Sequence, residues 1–267
     1  MKKIKILSVM AIAIVFYSCS TVPLTGRSQF NVVSDDQVNP AAAASYQQLL
    51  SDPATKVIST GTDAQRVKRI GGQLAQAIQQ YLNANGYANQ YNFAWEFNLI
   101  QSAEVNAWCM PGGKVAVYSG ILPITQTDAG LATVMGHEIG HAIAKHSAER
   151  MSQQMLVQAG GAAVGAATGN KSVAAQTAIN TLYGIGGQVA VLKFSRSQES
   201  EADRLGLTFM AMAGYDPHSA VTFWQRMAAQ SKNGGTPEFL STHPSDATRI
   251  ANIQKLIPEA MKYYKGR

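Results

Sequence analysis

Three side chains within residues 135–141 have the types and spacing for metal chemistry: His137, Glu138 and His141. On an α-helix the two histidines stand one turn apart on the same face, where two imidazoles can bind one zinc ion. Glu138 is rotated by about 100° from His137, so it can act on a metal-bound water without being a ligand itself. The alternative is a chance pair of neutral core histidines. The rarity of the full pattern favours the metal.

A third ligand has to come from another segment, because a catalytic zinc site has three protein ligands and one open position. The sixth residue after His141 is Ser147, which excludes the metzincin pattern with its third histidine. Downstream, Glu199 and Asp203 share a helical face, whereas Glu201 points away from it. Glu199 would bind the metal and Asp203 would orient a metal-bound imidazole. Alternatively, these acids belong to a solvated helix start, where the helix dipole favours them.

The helix that carries the two histidines is predicted to begin near Asp128 and to run to about Gln154. Its glycines, among them Gly136 and Gly140, would let another backbone or a ligand approach closely. His146 lies about 180° around this helix from the first histidine of the motif. We therefore expect His146 to be a structural or exposed residue that cannot join the metal.

A small sheet and several further helices are predicted around this helix. Strand patterns occupy residues 91–101, 106–110 and 114–119, and the last of them leads into the motif helix. Helical patterns occupy residues 41–50, 62–82, 194–212, 216–230 and 241–256. The predicted fold class is α+β, mainly helical, with the small sheet beside the motif helix. Residues 158–190 are small and apolar; they either pack as two helices or form a lid or a membrane-contacting hairpin.

The first residues have the pattern of a bacterial lipoprotein. Residues 1–18 combine a basic start, a short apolar run and a small residue at the end, as in a secretory signal peptide. Cys19 follows where cleavage should occur; its lipidation would anchor the protein to a membrane surface, and Ser20 favours the outer membrane. The alternative is a plain signal peptide with a coincidental cysteine. Residues 19–60 are interpreted as a lipidated tether and N-terminal arm, and residues 61–267 as the main domain.

Charge and cysteine content argue against a nucleic-acid-binding protein and against a fold that depends on disulfides or on cysteine-bound zinc. Without the three lysines of residues 1–18, the 22 basic residues fall to 19 against 16 acidic ones, and no basic run remains. We therefore expect no nucleic-acid partner. If Cys19 is lipidated, Cys109 stands alone, which excludes an intramolecular disulfide and a cysteine-based zinc site. Cys109 is interpreted as a half-buried strand residue, with a reactive thiol or an intermolecular bridge as the alternative.

Four motifs resemble those of one family of zinc metallopeptidases. They are Asn106-Ala107 with Pro111-Gly112-Gly113, the His-Glu-x-x-His motif, Glu199-Ser200-Glu201-Ala202-Asp203, and Thr242-His243-Pro244. In order and spacing they are similar to the peptidase family of the CAAX prenyl protease, HtpX, BepA and LoiP, over roughly residues 62–256. The size of the chain and its lipobox look most like the small, LoiP-like bacterial lipoproteins.

This resemblance implies a zincin fold of the gluzincin-like type with one Zn²⁺ per chain. It implies that His137, His141 and Glu199 are the zinc ligands. Glu138 would be the general base on a zinc-bound water. Asp203 would orient one of the zinc ligands without binding the zinc itself. His243 matches a family histidine near the metal, which either stabilises the oxyanion or fills the open coordination position as a brake.

Substrate binding is also implied by the resemblance. The strand near residues 115–118 would be an edge strand that pairs with an extended substrate, with Asn106, Val115 and Val117 at the contact. Arg249 could bind a carboxylate or the oxyanion, or it could be a solvated surface residue.

Together these features predict an enzyme: a membrane-anchored zinc endopeptidase that hydrolyses misfolded or misassembled proteins of the bacterial envelope. The lipid on Cys19 would hold it at the outer membrane, facing the periplasm, with envelope assembly machinery as a partner. The alternative is a chaperone or outer-membrane assembly factor that keeps a silenced zinc site.

Overall fold

The computed structural model describes residues 19–162, 194–232, 237–244 and 247–266. The predicted signal peptide, and the part of the predicted lid from residue 163 onward, lie outside these ranges. The strands are β1 (Cys19–Thr21), β2 (Ser28–Phe30), β3 (Val57–Ile58), β4 (Glu96–Ile100), β5 (Ala107–Met110) and β6 (Lys114–Tyr118). The helices in residues 19–162 are α1 (Asp35–Ser51), α2 (Thr62–Ala84), α3 (Leu122–Thr125), α4 (Asp128–Ile143) and α5 (His146–Ala162). The helices from residue 194 onward are α6 (Arg196–Met212), α7 (Ser219–Lys232), α8 (Glu238–Thr242) and α9 (Ala247–Ala260).

A four-stranded sheet in the order β3-β4-β6-β5 lies beside α4. Strand β6 pairs in parallel with β4 and antiparallel with β5, so both of its edges are occupied. Val115 and Val117 on β6 are fully buried. The prediction that residues 115–118 form an edge strand is therefore wrong. The edge beside α4 is β5, whose outer side has no strand partner in the described part of the chain.

The helix with the His-Glu-x-x-His motif is α4, and it is buried along almost its whole length. The side chain of Thr127 caps it by accepting a hydrogen bond from the backbone of Gly130. Helix α6 crosses α4 at glycines: a Cβ at Gly206 would lie 2.8 Å from the backbone of Gly136, and one at Gly140 would lie 2.7 Å from the Ala202 carbonyl. The predicted close approach at these glycines is thus present, and it is another backbone that approaches.

Helix α4 ends earlier than its sequence pattern predicted. It ends at Ile143, and α5 begins at His146 after Lys145, which has a left-handed φ of 50°. The hydroxyl of Tyr91 donates to the Ile143 carbonyl at 2.7 Å, which satisfies one of the acceptors left free at the helix end. The prediction of one helix to Gln154 is therefore wrong. The break matters because it changes the direction of His146.

Residues 19–30 form a packed hairpin where the sequence predicted a tether leading into an arm. Strands β1 and β2 are antiparallel, with Ser20 opposite Gln29, and the turn between them contains Gly26 at a φ of 68°. Val22 is fully buried in the main hydrophobic core. The hairpin thus belongs to the folded body of the protein.

The α+β, mainly helical prediction is confirmed. The main core lies between α2, the sheet and the α4–α6 pair; its fully buried residues include Leu74, Leu99, Leu131, Leu205 and Phe209. Within the described ranges, no helix has both the length and the apolarity that a membrane crossing requires.

Candidate metal centre

Four side chains that are distant in sequence converge at the crossing of α4 and α6. His137 and His141 come from α4, Glu199 from the first turn of α6, and His243 from the residue that follows α8. One ligand atom from each lies within 4.8 Å of the other three, and all four side chains are buried. The structure therefore brings together the three predicted ligands and the histidine whose role the sequence left open.

The spacing of these atoms fits one tetrahedral ion. His137 Nε2 lies 3.1 Å from His141 Nε2, 3.2 Å from His243 Nδ1 and 3.5 Å from Glu199 Oε2. His141 Nε2 lies 3.4 Å from Glu199 Oε1. Ligands at about 2.0–2.1 Å from zinc in tetrahedral geometry would be separated by about 3.4 Å. The donor set, three imidazoles and a carboxylate, is also one that zinc accepts.

His137 is held by a carboxylate behind it. Its Nδ1 lies 2.9 Å from Asp203 Oδ1, which leaves Nε2 directed at the centre. Burial and a nearby arginine lower the pKa of His137, but its hydrogen bonds to Asp203 and Glu199 outweigh them and raise it to about 9. Asp203 thus lies where its spacing predicted, in contact with the ring of a candidate ligand, and a carboxylate in this position can fix the orientation of the ring.

Glu199 is a carboxylate that stays ionised although it is buried. Burial would raise the pKa of Glu199, but hydrogen bonds from three histidines hold it well below its usual range. Its Oε2 also lies 3.0 Å from Arg249 Nη1. The alternative of a solvated helix start is thus not what the structure shows, because this carboxylate faces the cluster and is only 6% exposed.

Glu138 lies at the side of the cluster and is not part of it. Its Oε1 is buried without a hydrogen-bond partner in the described part of the chain, and His243 Nε2 lies 3.5 Å from it. Burial raises the pKa of Glu138. A buried carboxylate oxygen without a donor is costly, and a water in the centre would supply one. This arrangement suits a general base.

Arg249 is buried and is therefore not a solvated surface residue. Its guanidinium lies 3.5 Å from the centre of the Trp224 ring and binds the carboxylate of Asp203 through Nε and Nη2. Of the alternatives drawn from sequence, the carboxylate contact is the one observed, and the partner is internal. No sequence spacing could have paired Arg249 with Asp203, because they lie on different helices.

His146 and Glu201 are the functional neighbours that the sequence did not reveal. His146 is fully buried, with its Nδ1 2.9 Å from His141 Nδ1 and its Nε2 3.0 Å from Glu201 Oε2. It is structural, as predicted, but it touches a candidate ligand. Glu201 points away from the metal face, as its position on the helix requires. The break at Lys145 produces this contact, and nothing in the composition around it signalled a break.

The cysteine on β5 shows no sign of reactivity. Cys109 is half-buried and free, and desolvation raises the pKa of its thiol well above the usual value. The thiol is therefore protonated at neutral pH and is a poor nucleophile. The observed strand position agrees with its interpretation as a half-buried strand residue.

Comparison with known proteins gives consistent matches over most of the chain. The model of Peptidase family M48 matches residues 64–257. The mitochondrial metalloendopeptidase OMA1 of Schizosaccharomyces pombe is 34% identical over 241 residues, which cover 90% of this chain and 66% of that protein. The beta-barrel assembly-enhancing protease of Escherichia coli is 29% identical over 237 residues, 82% of this chain and 49% of that protein. The chain thus spans about half to two thirds of the length of these relatives.

Proposed function

The chain belongs to peptidase family M48, and on this premise we propose that it is a zinc-dependent endopeptidase. The observation that carries the proposal is the arrangement at the α4–α6 crossing. Three predicted ligands converge to tetrahedral spacing, and Glu138 keeps a buried, unpartnered carboxylate oxygen beside them. A purely structural zinc site would have no use for that oxygen.

The side chains divide the work of hydrolysis among them. His137, His141 and Glu199 would hold the zinc, which when bound would polarise the peptide carbonyl and increase the acidity of water. Glu138 takes the proton of the attacking water and passes it to the leaving amine. Its raised pKa, caused by burial, suits both steps because the proton must be gained and then released. Asp203 keeps His137 in the orientation that binding requires.

The proposed substrate site is the outer side of β5, the edge strand that packs against α4. An extended peptide could add there as a further strand, with main-chain hydrogen bonds supplying affinity and little sequence preference. Asn106 lies directly before β5, and its Oδ1 accepts a hydrogen bond from the backbone of Ala107. This contact fixes the beginning of the strand. The proposed substrates are unfolded or misassembled proteins, whose chains are free to extend.

The proposed location is the bacterial envelope, with a lipid on Cys19 as the anchor and the outer membrane facing the periplasm as the surface. The support is the residue pattern around Cys19 and the similarity to a relative named for beta-barrel assembly. Other relatives, among them OMA1 of Schizosaccharomyces pombe, are named as mitochondrial. Envelope assembly machinery is accordingly a proposed partner.

Replacing Glu138 tests the proposal directly. We expect Glu138→Gln to retain one zinc per chain and to lose at least about a hundredfold in the rate of cleavage of an unfolded test protein. Glu259→Gln, a change in a half-exposed carboxylate on α9, is the matched control and should cleave normally. Unchanged cleavage by Glu138→Gln would refute the enzyme.

A second candidate function is an assembly factor or chaperone with a silenced zinc site. The observation that favours it is His243, whose Nδ1 lies 3.2 Å from His137 Nε2 and 2.9 Å from Glu199 Oε1, where a fourth ligand would be. Four protein ligands are typical of closed, structural zinc sites. Rescue of envelope defects by the inactive Glu138→Gln variant would support this function.

A further inference from the structure

His141 needs a hydrogen-bond acceptor behind it, and a histidine provides it. The Nε2 of His141 faces the centre, 3.1 Å from His137 Nε2. A neutral imidazole that binds metal through Nε2 carries its proton on Nδ1. That nitrogen lies 2.9 Å from Nδ1 of His146. The acceptor in this contact must therefore be the unprotonated Nδ1 of His146.

The tautomer of His146 then follows. With Nδ1 accepting, the ring proton of neutral His146 is on Nε2, and this nitrogen lies 3.0 Å from Glu201 Oε2. The hydrogen bonds run in one direction, from His141 to His146 and from His146 to the carboxylate of Glu201. His137 reaches its carboxylate, Asp203, directly. Both histidines of α4 are thus linked by hydrogen bonds to a carboxylate of α6: His137 directly, and His141 through the imidazole of His146.

The carboxylate of Glu201 is held in place by the N-terminal hairpin. The hydroxyl of Thr25 donates to its Oε1 at 2.5 Å, and Arg27 Nε donates to its Oε2 at 2.7 Å. Glu201 is only 8% exposed. A buried carboxylate requires such donors, because burying an unpaired charge is strongly unfavourable.

Arg27 is itself fixed by a second carboxylate. Its Nη1 and Nη2 bind the two oxygens of Glu149 on α5 at 2.7 and 3.0 Å, and Gln198 Nε2 donates to the same carboxylate at 3.0 Å. A guanidinium that bridges two carboxylates has little freedom to move. The turn of the hairpin, α5 and α6 therefore meet at one arginine, at the outer end of the chain of contacts that leads to His141.

We propose that Thr25 and Arg27 are positioning residues of the metal centre, which act on His141 through Glu201 and His146. The inference rests on the proposed function, because it assumes that a metal is bound. It assigns to residues 19–30, which precede the matched family region at residue 64, a part in the site. Their hairpin does more than attach the domain, since its turn completes the support of one ligand.

Metal affinity and the spectrum of a substituted metal test the inference without relying on activity. We expect Arg27→Ala and Glu201→Ala to weaken metal binding about 10–100-fold in chelator competition. The visible absorption of the Co²⁺ form should change as well, because the orientation of His141 changes. The matched control is Arg204→Ala. Arg204 lies on the same helix as Glu201, and its replacement breaks a half-exposed ion pair with Glu259 of α9, so neither readout should change.

Thr25→Val keeps the test decisive if Arg27→Ala does not fold. It is nearly isosteric, removes one donor to Glu201, and should weaken metal binding about tenfold. Folded variants that lose thermal stability but keep the wild-type affinity and Co²⁺ spectrum would overturn the inference, since the residues would then be structural only. A wild-type protein that takes up no metal would overturn the proposed function itself, which separates the two failures.

Discussion

The guanidinium of Arg249 and the carboxylate of Asp203 form a buried, two-fold hydrogen-bonded pair behind the metal centre. Nε donates to Oδ2 at 2.9 Å and Nη2 to Oδ1 at 2.8 Å, with side-chain exposures of 7% and 5%. The same Oδ1 accepts from Nδ1 of His137 at 2.9 Å. Arg249 therefore fixes the carboxylate that fixes the ligand.

Removing Arg249 should destabilise the metal-free protein and weaken its metal centre. Arg249→Leu leaves the charge of Asp203 buried without its partner, which should cost about 3–5 kcal/mol in the free energy of unfolding. Metal affinity should fall about 10–100-fold, because His137 loses its support. Urea unfolding of the metal-free protein and chelator competition measure the two effects. Arg204→Ala, which breaks a half-exposed pair, should cost less than about 1 kcal/mol; an equal cost for both would contradict the prediction.

Metal binding should become stronger as the pH rises towards 9. Hydrogen bonds to Asp203 and Glu199 raise the pKa of His137 to about 9, so a proton competes with the metal at lower pH. The dissociation constant should increase about tenfold per pH unit below 9 and level off above it. Chelator competition between about pH 6 and pH 10 measures this dependence. In Asp203→Asn the plateau should begin at lower pH, because the charge of Asp203 that helps to raise the pKa of His137 is removed; a constant affinity from pH 7 to 9 would refute the assignment.

Helical spacing was sufficient to predict which side chains of each helix share the face that forms the candidate metal centre, whereas only the family resemblance implied that the two helices meet there. His137 and His141, and likewise Glu199 and Asp203, are pairs four residues apart, and such pairs share a face wherever a helix forms. The glycines at 136 and 140 likewise indicated a close approach, which Gly206 completes. These predictions succeeded because each depends only on local geometry within one helix.

Two features could not be predicted from the sequence: the order of the strands, which depends on non-local pairing, and the helix break at Lys145, which no residue pattern indicates. Strand β6 lies inside the sheet because β4 pairs with it in parallel, and the order of strands along the chain does not specify that choice. Lys145 adopts a left-handed conformation that glycine would normally signal. As a result His146 changes from the far side of a continuous helix to the partner of His141.

Removing the His243 imidazole should increase hydrolysis at saturating zinc. His243 Nδ1 lies 2.9 Å from Glu199 Oε1, in the place of a fourth ligand, and we expect it to act as a brake. His243→Ala opens that place to substrate, so kcat should increase while metal affinity decreases. His218→Ala is the control, because His218 is exposed and its imidazole is hydrogen-bonded only to Asp216 among the side-chain contacts described. A lower kcat with the metal site saturated would instead assign oxyanion stabilisation to His243.

A methyl group at Gly206 should separate the two helices that carry the ligands. The added Cβ would lie 2.8 Å from the backbone carbonyl carbon of Gly136 and from the backbone nitrogen of His137, and neither atom can move without moving α4. Gly206→Ala should therefore cost about 1–3 kcal/mol in the free energy of unfolding, and it should weaken metal binding because Glu199 moves away from the histidines. Gly72→Ala is the matched control: it lies exposed on α2 with no atom within 4 Å of its Cβ. The control should stabilise the protein by about 0.5–1 kcal/mol. Urea unfolding and chelator competition on both variants decide the matter, and a Gly206→Ala protein as stable as Gly72→Ala would show that α4 and α6 can move apart freely.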